Sequence, residues 1–167
     1  MKADAVFEGG GVKGIALVGA VCFLDEIDFQ WQRVAGTSAG AIIAALLAAG
    51  CNGNELKDIM LNLDYRKFLD TSTMQRLPLV GKPISVLKNK GIYLGNYIEK
   101  WIGELLKAKG KIRFKDVSIN GKSRLKIIAS DITKRDMLIL PDDLIKYGIE
   151  PLEFEIAKAV RMSISIP

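Results

Sequence analysis

No histidine occurs among the 167 residues, which removes from this stretch the side chain used most often as a general base and as a metal ligand. Cysteine is almost as scarce. Cys22 and Cys51 each lie in apolar, helix-patterned segments and read as small buried hydrophobes rather than as a disulfide or a metal pair. No metal and no cofactor is expected. No apolar run goes without helix punctuation over the ~20 residues that a bilayer crossing needs. The apolar stretch after Met1-Lys2-Ala3-Asp4 is too short for the core of a signal peptide. The expected location is therefore the cytoplasm or the periphery of a membrane. A long run of like charge is missing too. The surplus of +5 is a solubility feature, and nucleic acid is not an expected partner.

What is present is a unit of strand, glycine loop and helix, used twice. Residues 3–8 read as a short buried strand that runs into Gly9-Gly10-Gly11-Val12-Lys13-Gly14, with residues 15–27 helical behind it. Residues 32–35 form a second strand, leading through Gly36-Thr37-Ser38-Ala39-Gly40 into a helix over 39–49 built almost wholly of Ala, Ile and Leu. A helix that is apolar on all sides is a buried one. A helical stretch begins at Asn54, residues 65–95 read as irregular, and Asn96 caps a helix reaching Lys107. Strands over 125–130 and 137–140 follow, then a helix that starts at Glu150-Pro151 and runs to about Met162. Strands alternating with helices predict an α/β domain over residues 1–167, in three layers, with helices on both faces of a mainly parallel sheet.

Gly36-x-Ser38-x-Gly40 is the pattern of a nucleophile elbow, in which a sharp strand-to-helix turn lifts a serine hydroxyl clear of the sheet. It places Ser38 at a helix N-terminus, where developing negative charge is favoured. The glycine loop occupies the matching place after the first strand. Acyl transfer needs backbone N–H groups aimed at a tetrahedral oxyanion, and consecutive glycines can turn theirs inward unobstructed. Gly10 and Gly11 are the chosen donors, within a hole also formed by Gly9 and the Ala39 amide. Lys13 and Gly14 support the loop, with a solvated lysine as the plainer reading of Lys13. Two alternatives stand beside this one. Gly9-x-Gly11-x-x-Gly14 also matches a dinucleotide fingerprint, but the next strand ends Val34-Ala35-Gly36 without the acid that binds ribose. Both glycine motifs also serve as plain tight turns of an α/β sheet.

Taken together, Gly9-Gly10-Gly11-Val12-Lys13-Gly14 followed by Gly36-Thr37-Ser38-Ala39-Gly40 resembles the patatin-like phospholipases, and Arg161-Met162-Ser163-Ile164-Ser165-Ile166-Pro167 is similar to that family's small-residue segment ending in proline. The resemblance spans nearly the whole chain. It implies a serine acyl-hydrolase of the phospholipase A or lysophospholipase type, with a phospholipid or other acyl lipid as substrate. It also implies a Ser–Asp dyad, without histidine or metal, whose aspartate stands in an Asp-Gly-Gly or Asp-Gly-Ala motif. No Asp-Gly dipeptide occurs in the 167 residues. The dyad acid is accordingly expected beyond residue 167, in a domain incomplete at its C-terminal side and inactive or weakly active by itself. A non-catalytic domain of the same fold that binds lipid or a partner protein is the alternative.

Asp131 is the internal candidate acid, because it ends a strand whose C-terminal end faces the ligand side of such sheets, with a turn or capping role as the plainer reading. Ser85-x-x-Lys88 matches a serine–lysine pattern, without its companion motifs. Residues 66–95 interleave Arg66, Lys67, Arg76, Lys82, Lys88 and Lys90 with aliphatic residues. They read as a solvated loop or as a lid that touches anionic lipid. A sheet short of its last strands would expose an edge, which a homo-oligomer or a swapped strand would cover.

Overall fold

The computed structural model describes residues 1–63 and 83–165, with residues 83–95 described by their backbone alone. Strand β1 (Lys2–Phe7) leads through the glycine loop and a 3-10 turn (Gly11–Lys13) into helix α1 (Gly14–Glu26). Strand β2 (Gln30–Thr37) is separated from helix α2 (Ala39–Ala48) by Ser38 alone. Helices α3 (Gly53–Leu61) and α4 (Pro83–Ala108) follow, then a small hairpin of β3 (Ser118–Ile119) and β4 (Lys122–Ser123). Strands β5 (Leu125–Asp131) and β6 (Asp136–Leu140) and helix α5 (Ile156–Ile164) complete the described residues.

The main sheet has the order β1-β2-β5-β6. The β1–β2 and β2–β5 pairs are parallel and the β5–β6 pair is antiparallel, so the sheet is mainly parallel, as expected. Both parallel connections step in the same direction along the sheet. Right-handed crossovers then bring their helices to one face. Along β5, Leu125, Ile127 and Ala129 point to that face and are buried, as are Leu138 and Leu140 of β6. The opposite face carries Lys2, Asp4, Val6 and Arg33 and is open among the described residues, Val6 being 84% exposed. A helical layer on that side lies outside what the described residues show.

The burial of α2 follows from its composition. Every residue from Gly40 to Ala48 is buried, with Ile43, Ala44, Ala45 and Leu46 fully so. The helix packs on β1, β2 and β5 at once and forms the centre of the core. Helix α3 begins with a reciprocal capping box, in which Asn52 accepts the Glu55 amide and Glu55 accepts the Asn52 amide. Its first residue, Gly53, lies against α1, where a Cβ would come 2.7 Å from the Cys22 Cα. Cys22 and Cys51 are both free thiols, and Cys51 is buried.

Two boundaries differ from the sequence expectation. The irregular reading of residues 65–95 fails from Pro83 onward, because α4 begins there rather than at Asn96. Gly91 and Gly95 read as breakers, yet an interior glycine costs a helix only about 1 kcal/mol, and Pro83 is suited to a first helical position. The final helix begins at Ile156, not at Glu150. Phe154 and Glu155 are extended because the chain pairs there with residues 112–114: the Phe114 amide donates to the Phe154 carbonyl and the Ile156 amide to the Ile112 carbonyl. Pro151 opens only a 3-10 turn, Pro151–Glu153.

Candidate active site

The site is built where β2 ends. Ser38 has φ 53° and ψ −124°, a left-handed conformation unusual for a residue with a side chain. A serine at an ordinary helix N-cap is extended and turns its hydroxyl back onto the first amides of its own helix. Ser38 makes no such cap bond, so its hydroxyl is not committed to the amides of α2. The flanking glycines explain how the turn is possible. A Cβ on Gly36 would lie 2.2 Å from the Gly40 carbonyl oxygen, and one on Gly40 would lie 2.3 Å from the Phe7 carbonyl oxygen. Backbone fills the space on both sides, and no side chain fits.

The glycine loop comes to the same place. A Cβ on Gly9 would lie 3.1 Å from the Ser38 Cβ, so bare backbone faces Ser38. Gly11 has φ +55° and begins the 3-10 turn, closed by the Lys13 amide on the Gly10 carbonyl. The amides of Gly10 and Gly11 donate to no other backbone group among the described residues. Gly14 is buried, and a Cβ there would meet the Ala39 Cβ at 3.4 Å. Ala39 opens α2, and the first amides of a helix have no intrahelical acceptor. Lys13 is exposed at the end of the 3-10 turn. The structure thus sets Gly9 against Ser38, Gly14 against Ala39 and Gly40 against the end of β1, from segments that lie about thirty positions apart, with Gly10 and Gly11 following Gly9 in the loop.

Asp131 occupies the end of β5, three residues beyond Ile128, which pairs with Thr37. At the usual rise of a strand that is about 10 Å along the sheet. Its carboxylate accepts the Thr133 and Lys134 amides through Oδ1 and the Tyr147 hydroxyl through Oδ2. The side chain therefore caps the β5–β6 turn. The Tyr147 hydroxyl bond, followed by the two amide bonds, holds its carboxyl below the ordinary carboxylate value, while the same bond to Asp131 pushes the Tyr147 hydroxyl up to about 12.

One residue close to Ser38 was not singled out by the sequence except within the segment similar to the family's proline-containing end. Ser163, on α5, accepts the Ser38 amide at 2.8 Å and donates to the Ile128 carbonyl at 2.6 Å. A sequence signal existed. Ile156, Val160 and Ser163 repeat at the spacing of one helix face, and the first two are buried, so a hydroxyl stands where the pattern calls for an apolar side chain.

The basic segment 66–95 and the Ser85/Lys88 pair lie outside the described side chains. Among the described residues, no group of three or more cysteine or acidic side chains could hold a metal ion. None of the described helices is long and apolar enough to cross a membrane.

Comparison with known proteins places this geometry in a family. A protein YqhO of Bacillus subtilis (strain 168), described as uncharacterized, is 49% identical over 168 residues, covering 100% of this chain and 56% of that protein. An uncharacterized protein of Acanthamoeba polyphaga mimivirus is 30% identical over 170 residues, covering 98% of this chain and 52% of that protein. The chain spans about half the length of these curated relatives. Among solved structures, the type III effector ExoU superposes with a TM-score of 0.61 at 26% identity, over 99% of this chain and 40% of that one. VipD of Legionella pneumophila superposes with a TM-score of 0.52 at 19% identity, over 95% of this chain and 41% of that one, a likeness of fold alone. The patatin-like phospholipase family model matches residues 5–167, and the chain belongs to that family.

Proposed function

We propose that this chain carries the nucleophile and oxyanion hole of a lipid acyl-ester hydrolase of the phospholipase A or lysophospholipase type. The observation that carries the reading is the elbow itself: Ser38 stands at φ 53° and makes no helix-cap bond, and Gly9 lies so near that a Cβ there would come 3.1 Å from the Ser38 Cβ. Ser38 Oγ attacks the acyl carbonyl carbon while its proton passes to a carboxylate. The Gly10 and Gly11 amides, with Gly9 and the Ala39 amide beside them, stabilise the oxyanion. The leaving alcohol takes the proton as the carbonyl re-forms, and an acyl-serine remains. Water, deprotonated by the same carboxylate, then releases the fatty acid and regenerates Ser38.

In this reading the carboxylate is the aspartate of the family's Ser–Asp dyad and lies outside residues 1–167. The absence of an Asp-Gly dipeptide and the greater length of the relatives support that placement. Asp131 is committed to its turn and serves as the fallback. The substrate is a phospholipid, lysophospholipid or other acyl lipid, met at a membrane surface with help from residues 66–95.

The test is hydrolysis of p-nitrophenyl butyrate by residues 1–167 and by the protein at its full natural length, each beside a Ser38→Ala control. Activity only at full length, lost in Ser38→Ala, is the expected result. Serine-dependent activity of residues 1–167 would move the acid to Asp131. Absence of Ser38-dependent activity from both would overturn the hydrolase reading in favour of a lipid- or partner-binding domain.

A further inference from the structure

The β2–β5 ladder has a regular register up to the elbow. Val34 pairs with Leu125, and the Val34 amide donates to the Arg124 carbonyl at 2.9 Å. In a parallel ladder such bonds recur every second residue. With Gly36 paired to Ile127, the next rung runs from the Gly36 amide to the Lys126 carbonyl, and the one after that from Ser38 to Ile128. Those last two groups do not bond each other directly. The Ser163 hydroxyl stands between them, accepting from the Ser38 N–H and donating to the Ile128 C=O.

From this geometry we infer that Ser163 is the positioning residue of the nucleophile, an inserted rung that lets β2 leave the sheet at Ser38 without leaving its amide unbonded. The inference rests on the hydrolase reading for its kinetic consequence but not for its structural one. Three features support it. A hydroxyl has one proton and two acceptor lone pairs. Donation to Ile128 directs that proton away, so a lone pair faces the Ser38 amide. The positive φ at Ser38 is a conformation that persists only where the surroundings over-determine it. Tight glycine packing constrains the residues on either side of Ser38, whereas Ser163 holds the Ser38 peptide itself.

The clamp is in turn anchored from two sides. Ile156, Ala159 and Val160 seat α5 in the core, and Arg161 pairs with Glu99 of α4 at 2.9 Å. Ser163 donates its proton to a main-chain carbonyl of β5, and its oxygen takes the Ser38 amide out of reach of a substrate oxyanion. That amide therefore belongs to the scaffold, and the oxyanion donors must come from the glycine loop and Ala39.

The experiment compares Ser163→Ala, Ser163→Thr and wild type in the protein at its full natural length, with two readouts. The first is the rate at which a fluorophosphonate labels Ser38, with Ser38→Ala as the blank. The second is hydrogen exchange of the Ser38 amide, followed by NMR in serine-labelled protein. Ser163→Ala is expected to speed Ser38 exchange selectively over exchange in α2. It is also expected to slow labelling by about tenfold, the rate equivalent of one hydrogen bond. Ser163→Thr keeps the hydroxyl and is expected to restore both, and it serves alone against wild type if the alanine variant does not fold. Unchanged Ser38 exchange in Ser163→Ala, or labelling slowed equally in both variants, overturns the inference. If wild type labels no more than Ser38→Ala, the hydrolase reading fails, and the exchange readout still decides whether Ser163 holds the turn.

Discussion

Gly36 and Gly40 stand so close across the elbow that a Cβ on Gly36 would lie 2.2 Å from the Gly40 carbonyl oxygen. Neither a rotamer change nor a small shift relieves an overlap with main chain. Gly36→Ala is expected to destabilise the fold by about 3 kcal/mol or more, the upper range for overpacking. Urea denaturation checks this. A loss below about 1 kcal/mol would mean that the turn can open at little cost.

The opposite outcome is expected at Gly9. There a Cβ meets the Ser38 side chain at 3.1 Å, a contact that a few tenths of an ångström relieve. Gly9→Ala should therefore unfold close to the wild-type midpoint but label with fluorophosphonate at least about tenfold more slowly, since one misaligned oxyanion donor costs that much or more. Labelling at the wild-type rate would remove Gly9 from the wall of the site.

Asp25 joins three elements. Its Oδ2 accepts the Gly53 amide at the start of α3 at 2.6 Å, and its Oδ1 accepts the Trp31 indole N–H of β2 at 3.3 Å. Hydrogen bonds to a charged group contribute about 1.5–3 kcal/mol. Asp25→Ala is expected to lower stability by about 2 kcal/mol, with a change in the fluorescence of Trp31 in the folded state. A shift of the denaturation midpoint within error would show that water replaces the carboxylate.

The Asp131–Tyr147 pair gives a pH signature. The folded Asp131 carboxyl lies below its ordinary value of 3.8, so its contribution is present above that value and is lost as pH falls through the lowered one. Tyr147 is raised from 10.0 to about 12, so its contribution is full below 10 and is lost as pH rises toward 12. Tyrosinate absorbance should show Tyr147 titrating near 12 and returning toward 10 in Asp131→Asn. An unchanged titration in Asp131→Asn would break the assignment. Because Asp131 is a turn cap, the same variant is expected to leave full-length Ser38 labelling intact.

Much of this was legible in the chain. Period and punctuation located β1, β2, β5 and β6 within two residues or so, because short apolar runs bounded by glycine or polar residues leave few alternatives. The all-apolar 39–49 segment read as buried, and it is. The start of α4 at Pro83 was not legible, since Gly91 and Gly95 look like breakers when only local preference is weighed. The extended Phe154-Glu155 was missed for a related reason: its hydrogen bonds go to residues about forty positions away.

The sequence by itself determined that two glycine motifs follow two strands, and at Gly36 and Gly40 the absence of a side chain is a steric requirement written in the chain. It also determined that Ser38 sits at the head of a buried helix. Tertiary structure alone decided what touches that serine. The approach of Gly9 depends on β1 lying beside β2, and the hold of Ser163 depends on α5 seating against β5, 125 residues further along the chain. The helical spacing of Ile156, Val160 and Ser163 sets a hydroxyl on a buried face, but hydroxyl-to-amide bonds across such distances leave no mark of their partner in the chain. They exist only once the sheet has set its register and the helix has buried its apolar face.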